Sequence, residues 1–194
     1  DNSSTLGNER MGNWAFKDQT KEEFMDTILD GQPFIPHYFG FDVDTNKVGA
    51  DDLKPSIEKI PFSESSTTEG LIVDMRDEAT FKKGHLKGSF NIQAVSKNAK
   101  FETWLGSIIK PEDTFTLVID SKENKDTMLH RVAKIGYEKL LNKVITLSDE
   151  HLVTTEKLDL ADFKKNPDKY TIVDIRNNSE VEEGKFFDSA ISHP

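Results

Sequence analysis

A short apolar run that ends in Asp-x-Arg occurs twice in this chain and limits the folds it can adopt. Residues 71–76 are LIVDMR and residues 171–176 are TIVDIR, 100 positions apart, and Gly84 and Gly184 follow the two copies at the same spacing. Apolar runs of this length, rich in β-branched residues, are typical of buried strands. A spacing of one domain length indicates two copies of one unit. The second copy starts near Leu152 and is expected to be incomplete, with unpartnered strand edges.

Strands and helices are predicted to alternate between the two copies. The predicted order is strand 71–75, helix 77–83, helix 101–108, strand 116–119, helix 128–135 before Gly136, and strand 144–147. Alternation with short loops favours a parallel sheet with right-handed crossovers and helices on its faces. The predicted fold class is therefore α/β, with partial neighbouring domains at both ends.

The N-terminal quarter predicts little regular structure. Residues 1–19 show no sustained period and predict an extended or looped tail, whereas residues 20–23 (TKEE) have the capping-box form that begins a short amphipathic helix ending at Gly31. Residues 45–54 are polar and predict an irregular linker. Between the helix that ends at Gly31 and this linker lies an aromatic cluster, which we expect to be buried against another domain or a second chain. Its members are Phe34, Tyr38, Phe39 and Phe41.

Composition excludes several classes of function. The chain has 25 Lys and Arg against 35 Asp and Glu, a net charge of -10, and no basic stripe, which argues against a nucleic-acid partner. With no cysteine, it has no disulfide, no thiolate metal site and no cysteine-dependent reaction of its own, and this composition fits a reducing cytoplasm. Its longest apolar runs are strand-sized, so no membrane span is expected. The histidines lack metal-binding spacing, so no metal site is expected within the chain.

Residues 73–78 (VDMRDE), Phe81, residues 84–89 (GHLKGS) and residues 91–92 together resemble the opening motif of rhodanese domains. Rhodaneses are sulfurtransferases that carry sulfane sulfur on a cysteine placed between a central strand and a helix N-terminus. The resemblance implies a signature shared by both copies. It comprises Asp74, Arg76, Gly84, His85 and Gly88, and then Asp174, Arg176 and Gly184.

The roles of three signature residues are open to two interpretations. Asp74 and Arg76 could bind an anionic substrate or could tie the strand end to its turn, and His85 could be a general base or could fasten its own turn. The structural interpretation is favoured for Asp74 and Arg76, because buried ion pairs are often architectural. It is favoured for His85 because the resemblance implies a histidine that fastens its own turn through hydrogen bonds.

The loop that should carry the rhodanese cysteine is degenerate. Where the family has Cys-x-x-Gly-x-Arg-Ser, residues 120–126 lack the cysteine, the glycine and the arginine. The hydroxyl of Ser121, without an adjacent base, is a poor nucleophile. The acidic residues would repel thiosulfate or a persulfide, whereas Lys122, Asn124 and Lys125 favour residual binding. This candidate ligand loop, with no catalytic residue, comprises Asp120, Ser121, Lys122, Glu123, Asn124, Lys125 and Asp126.

The N-terminal segment has a resemblance of its own. Its residues resemble the C-terminal end of metallo-β-lactamase-fold persulfide dioxygenases. They are residues 3–7 (SSTLG), Glu9, Asn13, Ala15, Phe16, Phe24, residues 31–33 (GQP), Pro36, Tyr38 and Phe39. The family's iron-ligand motif would lie upstream, so Fe(II) is expected in that part of a parent protein and no cofactor in this chain. The order of the segments resembles the fused persulfide dioxygenase-sulfurtransferases of bacterial sulfide detoxification.

These resemblances divide the chain into four parts. Residues 1–45 would end a metallo-β-lactamase-fold domain, residues 46–54 would be a linker, residues 55–150 a pseudo-rhodanese domain, and residues 151–194 the start of a second rhodanese domain. The implied partners are the remaining parent domains, low-molecular-weight persulfides or thiols, and other copies of the chain in a homo-oligomer.

Three classes of function remain for the chain itself. It could be a spacer or docking part of an enzyme that is active elsewhere in the parent, a ligand-binding module, or a pure scaffold with no link to a dioxygenase. A phosphatase of rhodanese-like fold is excluded, because it would need a Cys-x5-Arg loop.

Overall fold

A parallel five-stranded sheet forms the centre of the computed structural model, which describes residues 3–32, 34–65, 67–96, 98–148 and 150–193. Its strand order is β1-β5-β4-β2-β3, and all four neighbouring pairs run parallel. The strands are β1 (Phe62–Glu64), β2 (Leu71–Asp74), β3 (Phe90–Asn91), β4 (Phe115–Val118) and β5 (Leu141–Thr146). Since β4 is buried at every position, it lies in the middle of the hydrophobic core, as expected of a strand covered on both faces.

Helices flank this sheet, so the predicted α/β fold with a rhodanese-like parallel sheet is confirmed. The helices of this unit are α4 (Leu53–Glu58), α5 (Glu78–Lys83), α6 (Phe101–Ile108) and α7 (Lys125–Ala133). The larger core cluster places Phe101, Leu105 and Leu129 against Leu117 of β4. A smaller cluster on the other face contains Val118 and Ile145. The predicted helices and strands between residues 71 and 147 are all present, while the short edge strands β1 and β3 were missed.

The second sequence copy forms a small unit of its own. It comprises α8 (Leu160–Lys165), β6 (Val173–Asp174), α9 (Asn178–Glu182) and β7 (Ile191–Ser192). The pairing of Val173 with Ile191 is parallel, as is the pairing of Val73 with Phe90 in the first unit. In the described part of the chain, β6 pairs with β7 alone. Val173 is consequently 48% exposed, whereas Val73 is fully buried.

The N-terminal segment is more helical than predicted. The tail predicted to be irregular contains α1 (Leu6–Gly12), whose first turn is capped by the Thr5 side chain, and a single 3-10 turn at Trp14–Phe16. The prediction failed because α1 has no buried residue and therefore no apolar period. The next helix, α2 (Lys21–Leu29), is confirmed together with its Thr20–Glu23 capping box.

The irregular linker predicted at 45–54 is also wrong at both of its ends. Helix α3 (Tyr38–Val48) runs through its first residues, and α4 begins at Leu53. The reason is tertiary, because Tyr38 and Phe41 of α3 pack against the core of the sheet domain. Because these contacts anchor its first turns, α3 continues as a helix through its remaining residues, which are mostly polar and face solvent.

The aromatic cluster is therefore divided. Phe41 lies edge-on to Tyr137, with ring centroids 5.6 Å apart, and Tyr38 covers Gly106 of α6. Phe34 and Phe39 remain 66% and 48% exposed. Tyr38 and Phe41 thus pack against the sheet domain of the same chain. For Phe34 and Phe39, burial against another domain or a second chain stays a prediction. No helix among the described residues is long and apolar enough to cross a membrane.

Candidate functional site

The degenerate loop lies at the carboxyl end of the central strands. It joins β4 to α7, and α7 leads on to β5 on one side of β4, whereas the chain leaving β2 passes through α5 to β3 on the other side. Chain connections that diverge from neighbouring parallel strands leave a crevice at their carboxyl ends, where α/β proteins bind ligands. The fold thus places this loop at the expected ligand-binding edge.

A cavity of about 230 Å³ occupies this crevice. Its floor is apolar and buried, formed by Met75, Ala94 and Ile119. The walls and rim are more polar, with exposed Val95 and Asp120 at the solvent side. The rest of the lining comprises Arg76, Asp77, Asn124 and Met128.

Two of the seven loop residues line this cavity. The Asp120 carboxylate accepts hydrogen bonds from the Ser121 backbone N–H at 2.8 Å and from the Asn124 side-chain amide, which lies 3.0 Å from each oxygen. Asn124 thereby fixes Asp120 beside the cavity. Ser121, although intermediate in exposure, does not line it, so its hydroxyl is misplaced for chemistry there as well as unactivated.

The two lysines of the loop turn away from the cavity. Lys125 donates to the Ile60 carbonyl oxygen at 3.0 Å, and Lys122 Nζ lies 5.8 Å from the centroid of the Phe62 ring. Glu123 lies in solvent, where its own backbone N–H and the Ser121 hydroxyl lower its pKa by donating hydrogen bonds to the carboxylate. Asp126 lines two neighbouring grooves with His130, one of which shares Ala94, Val95 and Met128 with the cavity. The cations that favoured residual anion binding are therefore not available at the cavity.

Asp120 is the residue that sequence reasoning undervalued. It is the first residue of the loop and takes the place of the cysteine in the family pattern, and the structure puts its carboxylate at the cavity. From the sequence, the hydroxyl of Ser121 makes it the candidate for a substitute nucleophile. Position directly after the predicted strand 116–119, rather than chemical likeness to cysteine, is the signal that identifies this cavity-lining residue.

Asp74 and Arg76 form a buried ion pair beneath the cavity. Arg76 Nη2 lies 2.7 Å from Asp74 Oδ2 and 2.8 Å from the Gly84 carbonyl oxygen, and Nε contacts both carboxylate oxygens at 3.0 and 3.2 Å. The Asn91 side chain donates to the carbonyl oxygens of Asp74 and Arg76. The guanidinium thus clamps the end of β2 to the turn after α5, and its charge is matched by Asp74.

The second copy repeats this clamp. Arg176 Nη2 lies 2.6 Å from Asp174 Oδ2 and 3.1 Å from the Gly184 carbonyl oxygen. The Arg176 side chain also lowers the pKa of Asp174 through its hydrogen bonds to that carboxylate. Equivalent bonds in both units show that the repeated signature has the same local geometry in each.

His85 fastens its own turn. Its Nδ1 lies 2.9 Å from the Phe81 carbonyl oxygen, and its ring stacks on Phe81 with centroids 3.9 Å apart. Its backbone forms an antiparallel bridge with Val153, which joins the first unit to the segment that follows it. Gly88, three residues later, has a φ of 83°, a left-handed conformation that disfavours other residues. His85 is outside the cavity lining.

Comparison with known proteins identifies the central unit. Residues 59–146 match the model of the rhodanese-like domain. This match spans less than half of the chain, and it contains the sheet, the cavity and the degenerate loop. The comparison with curated proteins finds no match.

One similar solved structure extends beyond that unit. A metallo-β-lactamase from Staphylococcus aureus subsp. aureus COL superposes with a TM-score of 0.53 at 25% sequence identity. The superposition covers 74% of this chain and 40% of that one, so the chain spans less than half the length of this relative.

The chemistry that the site supports is limited by its groups. A carboxylate stands where a thiolate would carry sulfur, and no lysine or arginine of the loop faces the cavity. Among the described residues, no group of three or more His, Asp or Glu side chains lies where it could hold a metal ion. The described residues therefore do not fit an iron site.

Proposed function

We propose that this chain is a non-catalytic rhodanese-like module of a persulfide dioxygenase-sulfurtransferase. The parent would oxidise low-molecular-weight persulfides to sulfite with Fe(II) held in its metallo-β-lactamase-fold part, and would handle sulfane sulfur during sulfide detoxification. Cytoplasmic location, thiol or persulfide partners, contacts with the parent's other domains and a homo-oligomeric state belong to this proposal.

One observation carries the proposal. The solved relative is named a metallo-β-lactamase, and its similarity to this chain extends over more residues than the rhodanese-like match. A rhodanese-like unit joined to a metallo-β-lactamase-type protein fits the order inferred from the N-terminal and central motifs.

The non-catalytic role rests on the loop. Sulfur transfer needs a thiolate that attacks sulfane sulfur, and surrounding cations or helix dipoles that stabilise it. Here the corresponding position holds the Asp120 carboxylate. Lys122 contacts Phe62 of β1, and Lys125 contacts Ile60 in the segment before β1. Because like charges repel, the same carboxylate disfavours thiosulfate and persulfide anions at the cavity.

The natural gene product that contains this chain, loaded with Fe(II), provides the test. We expect it to consume oxygen and form sulfite with glutathione persulfide, and we expect the 194-residue chain alone to show neither this activity nor sulfur transfer from thiosulfate to cyanide. Absence of oxygen uptake by the iron-loaded parent would overturn the dioxygenase assignment. Turnover by the chain alone that is lost in Ser121→Ala would overturn the non-catalytic assignment.

The alternative is a ligand-binding or scaffolding rhodanese module with no link to a dioxygenase. The open cavity of about 230 Å³ favours its ligand-binding form. This alternative predicts a parent without a metallo-β-lactamase-fold domain. The uninterrupted gene sequence shows directly whether the parent contains such a domain.

A further inference from the structure

The cavity beside the loop carries an excess of negative charge. Arg76, Asp77 and Asp120 are its charged lining residues, and the Arg76 charge is matched by Asp74 through the ion pair at 2.7 Å. Among the described lining residues, none besides Arg76 carries a positive charge that could compensate the carboxylates of Asp77 and Asp120. The N-termini of α5, which Asp77 caps, and of α7, which follows the loop, together offset only about one charge.

Both carboxylates are held by neutral donors. Asp77 caps α5 by accepting a hydrogen bond from the Thr80 backbone N–H at 3.0 Å, and Asp120 accepts from the Ser121 N–H and the Asn124 amide. Hydrogen bonds from Thr80 lower the pKa of Asp77, so it stays ionised at neutral pH. The loop lysines are engaged on the β1 side. The cavity thus presents fixed negative charge that no neighbouring side chain of the loop neutralises.

The rest of the lining is apolar. Met75, Ala94 and Ile119 form a buried floor, and the Met128 side chain adds a flexible wall. Thioether side chains adapt readily to alkyl groups. A volume of about 230 Å³ corresponds to about eight water molecules at about 30 Å³ each. The cavity therefore has room for a short alkyl chain beneath the carboxylates.

We propose that this cavity is a binding site for small primary ammonium compounds with a short apolar body. The ammonium group would bind the Asp120 carboxylate at the rim, and the alkyl part would lie on the buried floor. This selectivity is opposite in charge to that of a pocket for thiosulfate or persulfide anions. The inference goes beyond the proposed function, since it holds or fails whatever reaction the parent performs.

The probe is n-butylammonium, titrated into the 194-residue chain at physiological ionic strength and followed by backbone and methyl NMR. We expect saturable shifts at Val95, Met128 and Asn124, and no comparable shifts with butyrate, the matched anion. Ammonium chloride should bind more weakly than n-butylammonium, because it lacks the apolar part that the floor accommodates.

Asp120→Asn tests the residue that carries the proposal. The amide keeps the shape and can still accept from the Ser121 N–H, so the loop should remain folded while affinity for n-butylammonium falls at least about tenfold. Glu123→Gln is the matched control, because it removes the same charge from the same loop outside the cavity, and it should leave the affinity unchanged. Equal loss in both variants, equal binding of butyrate, or shifts confined to residues outside the cavity would overturn the proposal.

Discussion

At the residue scale, one substitution changes the character of the whole site. The carboxylate at position 120 is a weaker nucleophile than a thiolate, and its orientation is fixed by hydrogen bonds from Ser121 and Asn124. The remaining family groups, a glycine and an arginine of the loop, are replaced by Glu123 and Lys125. Restoring the cysteine alone should therefore not restore the chemistry.

Asp120→Cys tests that statement. Asp77 at the cavity and the loop acids Glu123 and Asp126 disfavour a thiolate, and together they outweigh the partial positive charge of the α7 N-terminus. We expect the pKa of the introduced thiol to lie above its ordinary value, and alkylation by iodoacetamide at neutral pH to be about three- to tenfold slower than that of free cysteine. Adding Asp77→Asn, which preserves the helix cap, should speed alkylation. A thiol more reactive than free cysteine would contradict this account.

A second residue-scale prediction concerns Glu102 and Arg131, which join α6 to α7. The guanidinium contacts the two Glu102 oxygens at 3.0 and 2.8 Å, and its hydrogen bonds lower the pKa of Glu102 from 4.5 to about 2. Because the folded-state pKa is depressed, the stabilisation is complete above about pH 4.5 and is lost as the pH falls towards about 2.

Glu102→Gln should lower the free energy of unfolding at pH 7 by about 1 to 3 kcal/mol and should remove this part of its acid dependence. Urea titrations between pH 7 and pH 3 measure both effects. Glu78→Gln, which breaks an exposed pair with Lys82, should change stability by less than about 0.5 kcal/mol. A larger loss in Glu78→Gln than in Glu102→Gln would show that the α6–α7 pair is not the stronger contact.

At the element scale, the docking of α3 depends on a glycine. A Cβ atom at Gly106 would lie 2.6 Å from Cγ and 2.8 Å from Cβ of Tyr38, so the Tyr38 side chain rests directly on the α6 backbone. Contacts this close to the root of a side chain cannot be relieved by rotating its far end.

Gly106→Ala should therefore displace α3 and lower the free energy of unfolding by about 1 to 3 kcal/mol. Hydrogen exchange of residues 38–48 should rise more than that of β4. Gly40→Ala is the control within α3, because nothing lies within 4 Å of its Cβ position, and it should stabilise the helix by about 0.5 to 1 kcal/mol. Unchanged exchange in Gly106→Ala would mean that α3 is not held through Tyr38.

At the scale of the whole molecule, the two sequence copies differ in how much support they receive. In the first, β2 lies between β3 and β4, and its residues Ile72 and Val73 are buried. In the second, Ile175 is 79% exposed, whereas its counterpart Met75 is 3% exposed. A two-stranded sheet without a covered face is only marginally stable.

We expect hydrogen exchange to separate the two units. Amides of β2, β4 and β5 should be protected, while those of residues 160–193 should exchange faster by about two orders of magnitude or more, since local opening needs less free energy there. The exposed Ile175 and Phe186 should also promote self-association in sizing chromatography at high concentration. Uniform protection across both units in a monodisperse monomer would contradict this expectation.

Prediction from the sequence was strongest where local patterns and burial agree. Periodicity, helix caps and glycine stops, all within a few residues, predicted three elements correctly. These are the strand at 71–75, the capped helix α2 and the helix α7. It was weakest for β1 and β3, because strands of three and two residues are too short to show a period.

The sequence by itself determined the α/β fold, the repeat and the absence of a cysteine, because strand-sized apolar runs, helical spacing and residue identity are local properties. The tertiary structure decided which loop side chains line the cavity, since the backbone after β4 places Asp120 at the cavity rim and the lysines bind elsewhere. It also decided that α3 is a helix, because its anchor is the distant Gly106 and Tyr137. Such contacts join residues far apart in the chain, and a pattern of near neighbours does not contain them.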